Sequence, residues 1–360
     1  MSFASDNAGG VHPRIMAALA AANQGHVPAY GEDSITRAAQ DRLRELFDAP
    51  EAAVHFVASG TAANALSLSL LAPGWGKVFC HADAHVQTSE TGAPEFFSGG
   101  AKLIPIPGAG GKIVPEALAE ALVVHGRDSV HAGRNAALSL TNATEWGTVY
   151  RPDEVEALAA IARDAGLGLH MDGARFANAL AGLDVAPADL SWRAGVDILS
   201  LGGTKDGCMG VEAVLIFDPA KSEEFQFRRK RAGALVSKHR YLAAQVLAWL
   251  EGDLWLQLAR HANAMAHELA LGLARLPGVR IDQRVESNAV FATIPADLHR
   301  RACAGGLCYH LWPHTQQPAE DEPVGIRLVC GWDTRLEDVT GALQALAEPK
   351  PLRAEPQALG

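Results

Sequence analysis

The sequence predicts an α/β fold with a large domain built on a mainly parallel sheet, followed by a small C-terminal α+β domain. Over residues 13–240, short apolar runs alternate with helical stretches, which is the pattern of α/β crossovers. Residues 241–348 begin with a long helical pattern and continue with shorter runs. A chain of 360 residues that is 48% hydrophobic and 20% charged is long enough to build both cores.

The large domain is expected to begin with two helices and to continue with strands and crossover helices. Pro13 predicts a helix start and a helix through Asn23, and Ser34 is predicted to cap a second helix. The predicted strands are residues 54–57, 77–80, 102–106, 137–140, 167–171, 196–201 and 213–217. The helical stretches between them are 62–71, 115–122 and 152–165. Such crossovers join parallel strands.

The C-terminal part of the chain is predicted to form a bridging helix and then a smaller unit. Residues 241–275 have an almost continuous helical pattern that no proline interrupts. Short strands are predicted at 279–281, 289–294 and 326–330, with helices at 296–304 and 336–346. The expected organisation is an N-terminal arm at 1–12, the large domain at 13–240, the bridging helix and small domain at 241–348, and a loose tail at 349–360.

Composition and charge exclude several classes of partner. A formal net charge of -10 and a pI near 5.8 disfavour binding to nucleic acid. The five cysteines are scattered and form no CxxC pair, which argues against a disulfide framework and a metal site and favours a reducing compartment. The sequence has no secretory signal pattern and no apolar run that could span a bilayer. We therefore expect a cytoplasmic protein without a membrane partner.

The most informative feature is a lysine that follows one predicted strand and an aspartate that ends another. Lys205 lies in the segment GGTKDG at 202–207, and Asp172 ends the run that begins at Leu167. Parallel strands bring their carboxyl ends to one crevice, so the amine and the carboxylate should face a common ligand. An amine that can form a Schiff base and a carboxylate that can hold the proton of a pyridine nitrogen predict pyridoxal 5'-phosphate (PLP).

Two further segments fit the same ligand. The turn SGTAAN at 59–64 should present free backbone N–H groups, including those of Gly60 and Thr61, to a phosphate. His85 follows another short strand, where an imidazole could stack on a cofactor ring. Each feature alone has an ordinary explanation, because loop lysines are usually solvated, strand-end aspartates and turn threonines often cap helices, and single histidines are often structural. The PLP hypothesis therefore depends on all four together.

Around these residues the chain resembles the low-specificity L-threonine aldolases, a family of PLP-dependent enzymes with the transferase-like fold called fold type I. The matching segments are SDN at 5–7, AYGED at 29–33, SGTAAN at 59–64, His85 with ETGA at 90–93, HMDGAR at 170–175 and LGGTKDG at 201–207. HMDGAR is the most specific of them. The resemblance extends from the N-terminal arm to the small domain.

By this resemblance Lys205 and His85 are the catalytic candidates. The implied cofactor-binding residues are Gly60, Thr61, His85, Asp172, Arg175, Thr204, Lys205 and Arg229. The implied substrate-binding residues are Ser5, Tyr30, Thr144, Arg175 and Arg327. Guanidinium groups suit a planar carboxylate. Tyr30 and Arg229 are expected to come from a neighbouring subunit of a homo-oligomer, a dimer or a tetramer with shared sites, although Arg229 also fits an ordinary surface charge.

One segment departs from the family pattern. Many members have Glu-Asn-Thr-His where this chain has TNAT at 141–144, so Thr144 replaces a histidine expected near the substrate hydroxyl. The base that removes the hydroxyl proton is then either His85 or a bound water.

The resemblance implies retro-aldol cleavage of L-threonine, L-allo-threonine and related β-hydroxy-α-amino acids to glycine and an aldehyde. A phenylserine aldolase or a related β-eliminating PLP lyase is the alternative within the same chemistry. Outside enzymology, the alternative is a catalytically silent PLP-fold protein that serves as a binding module.

Overall fold

The computed structural model describes residues 1–125, 129–313 and 321–347, and its larger sheet has seven strands. They are β1 (Ala53–Val57), β2 (Gly76–His81), β3 (Lys102–Ile106), β4 (Arg134–Thr141), β5 (Gly168–Gly173), β6 (Ile198–Gly202) and β7 (Glu212–Ile216). Their order is β1-β7-β6-β5-β4-β2-β3. Neighbouring strands are parallel except where β7 pairs with β1 and β6. The predicted mainly parallel sheet is confirmed, and each of the seven predicted runs overlaps one strand.

Helices connect these strands and continue into the C-terminal part. They are α1 (Pro13–Ala22), α2 (Ser34–Leu46), α3 (Gly60–Leu71), α4 (His85–Thr88), α5 (Ala93–Ser98), α6 (Pro115–His125), α7 (Pro152–Asp164), α8 (Phe176–Leu183), α9 (Ser222–Arg231), α10 (Arg240–Leu250), α11 (Leu254–Leu273), α12 (Ala296–Ala304) and α13 (Leu336–Ala347). In the described ranges, none of them is long and apolar enough to cross a membrane.

Burial explains why most strands are continuous apolar runs. Every residue of β1, β2, β6 and β7 is buried, as expected for a parallel sheet that is covered on both faces. Strand β3 differs because it lies at the edge of the sheet and exposes Lys102 and Pro105. An edge strand tolerates proline because one side of it needs no ladder hydrogen bonds.

The strand directions bring several segments to one edge of the sheet. Five strands end at this edge: β1, β2, β4, β5 and β6. Strands β2, β4, β5 and β6 are parallel to one another, and β1 has the same direction because β7 is antiparallel to both β1 and β6. For the same reason β7 begins at this edge, and Glu212 pairs with both Gly202 and Val57. This edge is the crevice at which a ligand is expected in an α/β sheet.

A second, antiparallel sheet forms the small C-terminal α+β domain. Its order is β10-β11-β9-β8, with β8 at Arg280–Ile281, β9 at Ala289–Ile294, β10 at His310–Leu311 and β11 at Val324–Val329. Helices α12 and α13 pack with this sheet around a separate apolar cluster that includes Leu269 and Leu273 of α11. The beginning of α11 instead packs in the larger core through Leu254 and Trp255, so α11 links the two cores.

The N-terminal arm is attached to the small sheet. Phe3 is buried in its apolar cluster, the Phe3 amide donates to the Cys308 carbonyl at 2.7 Å, and the Val329 amide donates to the Phe3 carbonyl at 2.8 Å. The arm continues from there toward Ser5 and Asp6, which lie between the two sheets.

Three local expectations differ from the structure. The long helix predicted at 241–275 is broken between α10 and α11, because Gly252 and Asp253 have φ values of +60° and +55° that end a right-handed helix. Asp33, rather than Ser34, caps α2 by accepting a hydrogen bond from the Thr36 amide. Strand β10 was not expected from the sequence because it is only two residues long. The tail predicted at 349–360 lies outside the described residues, and the residue bounds of the domains stay a prediction.

Candidate active site

A cavity of about 460 Å³ lies at the edge where the strands of the larger sheet end. It is lined by most of the predicted site residues: Ser5, Gly60, Thr61, His85, Asp172, Arg175, Thr204, Lys205 and Arg327. A cavity of this size fits a small-molecule ligand. The structure therefore brings together residues that lie as far apart in sequence as the N-terminal arm and β11.

Lys205 and Asp172 reach the cavity from neighbouring strands. Lys205 lies in a 3-10 turn that follows β6, and Asp172 is a buried residue of β5. Two donors hold the Asp172 carboxylate in place. Its Oδ2 accepts from Asn64 Nδ2 at 2.8 Å, and its Oδ1 accepts from the Ala174 amide at 3.0 Å. The carboxylate is thus a fixed acceptor opposite the lysine-bearing turn.

Gly202 makes the position of this turn possible. A Cβ atom there would lie 2.8 Å from both Cα and O of Ala174 and 2.9 Å from Glu212 Oε2. No side chain fits at these distances, so the first glycine of the segment before Lys205 is required by the close approach of the chain after β5.

The N-terminus of α3, where the sequence predicts a phosphate site, lines the cavity. Ser59 caps the helix, with its Oγ accepting from the Ala62 amide at 3.3 Å and its carbonyl accepting from the Ala63 amide at 3.1 Å. The first amides of the helix, those of Gly60 and Thr61, have no partner within the helix. A Cβ atom built at Gly60 meets nothing within 4 Å, and Ser59, Gly60 and Thr61 all line the cavity, so the start of α3 borders open space.

His85 begins α4 and contacts a buried carboxyl group. Its Nδ1 lies 2.8 Å from Glu90 Oε1. This hydrogen bond raises the pKa of His85, and burial only partly opposes it. Burial also raises the pKa of Glu90. We assign the shared proton to the imidazole, because Asn64 Nδ2 donates to the same Glu90 oxygen at 2.9 Å and stabilises the carboxylate form.

The Arg175 guanidinium forms an ion pair with a carboxylate of the same chain. Its Nε and Nη2 atoms donate to Asp6 Oδ2 and Oδ1, both at 2.7 Å. Burial alone would raise the pKa of Asp6, but the charge and hydrogen bonds of Arg175 outweigh it, and the pKa lies below its usual value. A third donor, Asn288 Nδ2, reaches Asp6 Oδ2 at 3.0 Å.

Arg327 is the more available guanidinium. Its Nε atom is buried and has no hydrogen-bond partner in the part of the chain that the structure describes. Burial lowers the pKa of Arg327 to about 10, so the group is still a cation at neutral pH. The guanidinium lies over the ring of Trp312, 5.9 Å from its centroid, and both residues line the cavity. This geometry suits the carboxylate of a ligand.

Thr144 is not among the residues that line the cavity, and its predicted contact with the substrate stays a prediction. Its Oγ1 donates to the Gly110 carbonyl at 3.1 Å and lies 2.8 Å from Thr148 Oγ1. The hydroxyl therefore stabilises the loop after β4. The next residue, Glu145, lines the cavity instead.

Tyr30 and Arg229 do not line the cavity of their own chain. Tyr30 is 47% exposed, and the Lys230 ammonium lies 4.6 Å from the centroid of its ring. Arg229 is buried on α9, where its Nη1 donates to the Phe56 carbonyl at 3.2 Å. It is therefore not the surface charge that the sequence also allowed. The role of both residues at a neighbouring subunit's site stays a prediction.

Sequence reasoning missed several residues at or beside the cavity. Glu145, Glu212, Asn64 and Trp312 line it, and Asp6 holds Arg175. Burial raises the pKa of Glu212 to about 7, and its Oε1 accepts from Thr204 Oγ1 at 2.6 Å. A signal for Asn64 was present, since it lies one helical turn after the glycine of the 59–64 turn. No such signal marks Glu212, because the antiparallel direction of β7 cannot be recognised from the sequence.

The cavity fits PLP in its donors and acceptors. An anion site at the start of α3, a lysine amine after β6 and a fixed carboxylate in β5 correspond to the phosphate, the aldehyde and the protonated ring nitrogen of the cofactor. The open space beside Gly60, at a helix start that lines the cavity, is the observation that most directly supports the phosphate position.

A mainly parallel sheet that directs these three groups into one cavity defines a fold type I PLP-dependent enzyme. The family model described as beta-eliminating lyase matches residues 2–296. The chain is 44% identical to a low specificity L-threonine aldolase of Pseudomonas aeruginosa, over 94% of each chain. It is 41% identical to one of Pseudomonas sp. (strain NCIMB 10558), over 96% of this chain and 97% of that relative. The chain belongs to the low-specificity L-threonine aldolase family.

A solved structure supports the same assignment. The threonine aldolase of Leishmania major superposes with a TM-score of 0.88 at 30% identity, and the match covers 96% of this chain and 98% of that one. The resemblance inferred from sequence motifs is thus confirmed for the family and the fold.

Proposed function

We propose that the protein cleaves L-threonine, L-allo-threonine and related β-hydroxy-α-amino acids to glycine and an aldehyde, with PLP as its cofactor. The observation that carries this proposal is the placement of Lys205, Asp172 and Arg327 around one cavity. PLP, when bound, withdraws the electrons that are released on the substrate α-carbon. The membership of the threonine aldolase family supports the same reaction.

Each residue of the cavity has a defined task in this reaction. Lys205 supplies the amine that binds the cofactor covalently, and Asp172 holds the proton of the ring nitrogen. The amides of Gly60 and Thr61 hold the phosphate. Arg327 binds the substrate carboxylate, and its fork fixes the orientation of the amino acid.

A single assay tests the proposal. The PLP-loaded protein is incubated with a panel of β-hydroxy amino acids, and released aldehyde and glycine are measured together with ammonia. Aldehyde and glycine in equal amounts support the aldolase. Replacing Lys205 with Ala should abolish turnover and borohydride labelling, whereas replacing the exposed Lys102 with Ala should change neither. Turnover by Lys205→Ala at the normal rate would contradict the proposal.

Trp312 favours inclusion of phenylserine in that panel. Its ring lines the cavity and packs against Trp146 and Phe291, with ring centroids 5.1 and 5.3 Å away. An aromatic wall of this kind suits a bulky β-substituent.

The same assay identifies the two alternatives. Ammonia without aldehyde would identify a β-eliminating lyase. A silent PLP-fold module would bind PLP and show no spectral change with glycine.

We also infer a homo-oligomer, a dimer or a tetramer, whose neighbouring subunits complete each site. The buried Nε of Arg229 has no partner in the described residues, and the exposed ring of Tyr30 lies beside α9. Mixing Lys205→Ala subunits with Tyr30→Ala subunits should restore part of the activity if the sites are shared. Sedimentation gives the oligomeric state. A cytoplasmic location is part of this proposal, and the buried free thiols of Cys80, Cys208 and Cys330 suit a reducing compartment.

A further inference from the structure

Glu145 occupies the cavity wall where the sequence departs from the family pattern. It directly follows Thr144, which stands in the place of the expected histidine and points elsewhere. One oxygen of Glu145 is anchored, because Oε1 accepts from the His85 amide at 2.7 Å and from Thr141 Oγ1 at 3.0 Å. The other oxygen, Oε2, is buried and has no hydrogen-bond partner in the described part of the chain.

Among the carboxyl groups that line the cavity, those of Asp83, Glu145, Asp172 and Glu212, Glu145 alone has a buried oxygen without a hydrogen-bond partner in the described residues. Both oxygens of Asp172 accept hydrogen bonds. Glu212 accepts from Thr204, and Glu90 is tied to His85 and Asn64. Glu90 also has a buried oxygen without a partner, but Glu90 does not line the cavity. Glu145 thus combines a fixed orientation with a free proton-accepting atom at the site.

The electrostatic surroundings allow Glu145 to gain and lose a proton near neutral pH. Burial, followed by the charge of Asp172, raises the pKa of Glu145 to about 7. Its hydrogen-bond donors are the His85 amide and the hydroxyl of Thr141 at the end of β4. The titratable and charged side chains that interact with it electrostatically are Asp172, Arg175, Arg327, Cys80 and Tyr150. Burial raises the pKa values of Cys80 and Tyr150, so both stay neutral in this range.

His85 is the less suitable acceptor. Its hydrogen bond to Glu90 raises the pKa of the imidazole, which favours the protonated ring. A protonated ring can donate a proton but cannot accept one. Glu145 accepts from the His85 amide, and both residues line the cavity.

We propose that Glu145 Oε2 is the base that accepts the β-hydroxyl proton of the substrate. The O–H bond breaks and its proton moves to Oε2, while the C–O bond becomes the carbonyl of the aldehyde. The Cα–Cβ bond breaks, its electron pair stays on the glycine fragment, and one proton is added there. The substrate hydroxyl loses one proton and the glycine fragment gains one, so the cleavage needs no further reactant. This inference rests on the proposed aldolase function.

The decisive variant is Glu145→Gln. The amide oxygen of glutamine can still accept from Thr141 and the His85 amide, so the loop should fold, but the side chain cannot take up the proton. We expect kcat/KM for threonine to fall roughly 100-fold to 10,000-fold. The wild type should lose activity as the pH falls below about 7, because Glu145 becomes protonated, and the variant should lose this dependence. Glu145→Asp should keep it with partial activity.

A second readout separates this inference from the proposed function. Glycine has no β-hydroxyl group, so exchange of its α-proton with solvent, followed by NMR, should proceed in Glu145→Gln as in the wild type. A wild type that neither cleaves threonine nor exchanges glycine would overturn the aldolase function itself. Normal cleavage with an unchanged pH profile in Glu145→Gln would overturn only the role of Glu145.

Two further measurements keep the test decisive. Glu95 is a matched control, since it also has a buried oxygen without a partner in the described residues but lies outside the cavity, and Glu95→Gln should keep the wild-type pH profile. In the wild type without cofactor, infrared difference spectra should show two carboxyl groups that titrate near pH 7, those of Glu145 and Glu212, and only the Glu212 signal should remain in Glu145→Gln. If the glutamine variant does not fold, the pH dependence of kcat/KM of the wild type still tests the proposal. A kcat/KM that shows no titrating group between about pH 6 and 8 would contradict it.

Discussion

Asp6 and Arg175, which are 169 positions apart, form a bidentate ion pair with both N···O distances at 2.7 Å. The pair joins the N-terminal arm to the chain that follows β5. Asp6 is buried and the Arg175 side chain is only 15% exposed, so each depends on the other for much of the compensation of its charge.

Replacing Asp6 with Asn should therefore destabilise the fold by about 3–5 kcal/mol, because the Arg175 charge stays buried without its partner. The folded-state pKa of Asp6 lies below its ordinary value of 3.8. Its stabilising contribution is present above pH 3.8 and is lost as the pH falls through the lower folded value. Urea unfolding at several pH values measures the free energy of unfolding of both proteins. The difference between the wild type and Asp6→Asn should decrease as the pH falls. Asp189→Asn, which removes an exposed partner of Arg193, should have little effect.

Gly60→Ala tests the phosphate position without disturbing the fold. The structure has nothing within 4 Å of an added Cβ, and alanine favours a helix by roughly 1 kcal/mol over glycine, so the cofactor-free protein should be as stable as the wild type. PLP affinity should decrease, because the methyl group takes up open space beside the start of α3, where the phosphate is proposed to bind. Thermal melting and PLP titration measure the two effects. An unchanged PLP affinity would show that the phosphate binds elsewhere.

Arg327→Lys should weaken substrate binding more than cofactor binding. Lysine keeps the charge but loses the fork, and a lost hydrogen bond between charged groups corresponds to roughly a 10-fold to 100-fold increase in KM. The kcat value should change less. Steady-state kinetics with threonine and the PLP dissociation constant separate the two. Equal losses of PLP and substrate affinity would argue that Arg327 contacts the cofactor instead.

Glu90→Gln should lower the pKa of His85. The hydrogen bond to Glu90 is the main cause of the raised His85 pKa, and the amide cannot compensate the imidazolium charge. The stabilisation from this pair is fully present below the unfolded pKa of 6.5 and is lost as the pH rises through the higher folded value. NMR titration of the His85 ring measures the change. His299 in α12 serves as an internal reference, because its pKa should be the same in both proteins.

The parts of this molecule that could be predicted are those governed by local pattern. Apolar runs that end at Asp172 and before Lys205 correctly place both residues at one sheet edge, because parallel strands share a direction. Glu212 could not be found in this way, since its strand runs opposite and contributes its first residue to the site. That Thr144 does not line the cavity could not be predicted, because a motif aligns positions but does not say which side chain of a loop faces inward. The next residue, Glu145, lines the cavity although no motif pointed to it.

The division of the cavity wall between two sheets has an evolutionary consequence. Arg327, Trp312 and His310 all come from β11, β10 or the chain directly after β10, whereas Lys205 and Asp172 come from the larger sheet. The half of the wall that we propose binds the amino acid can therefore diversify while the half that we propose binds PLP stays unchanged. Laboratory selection for new aldehydes should find its useful mutations first around Trp312.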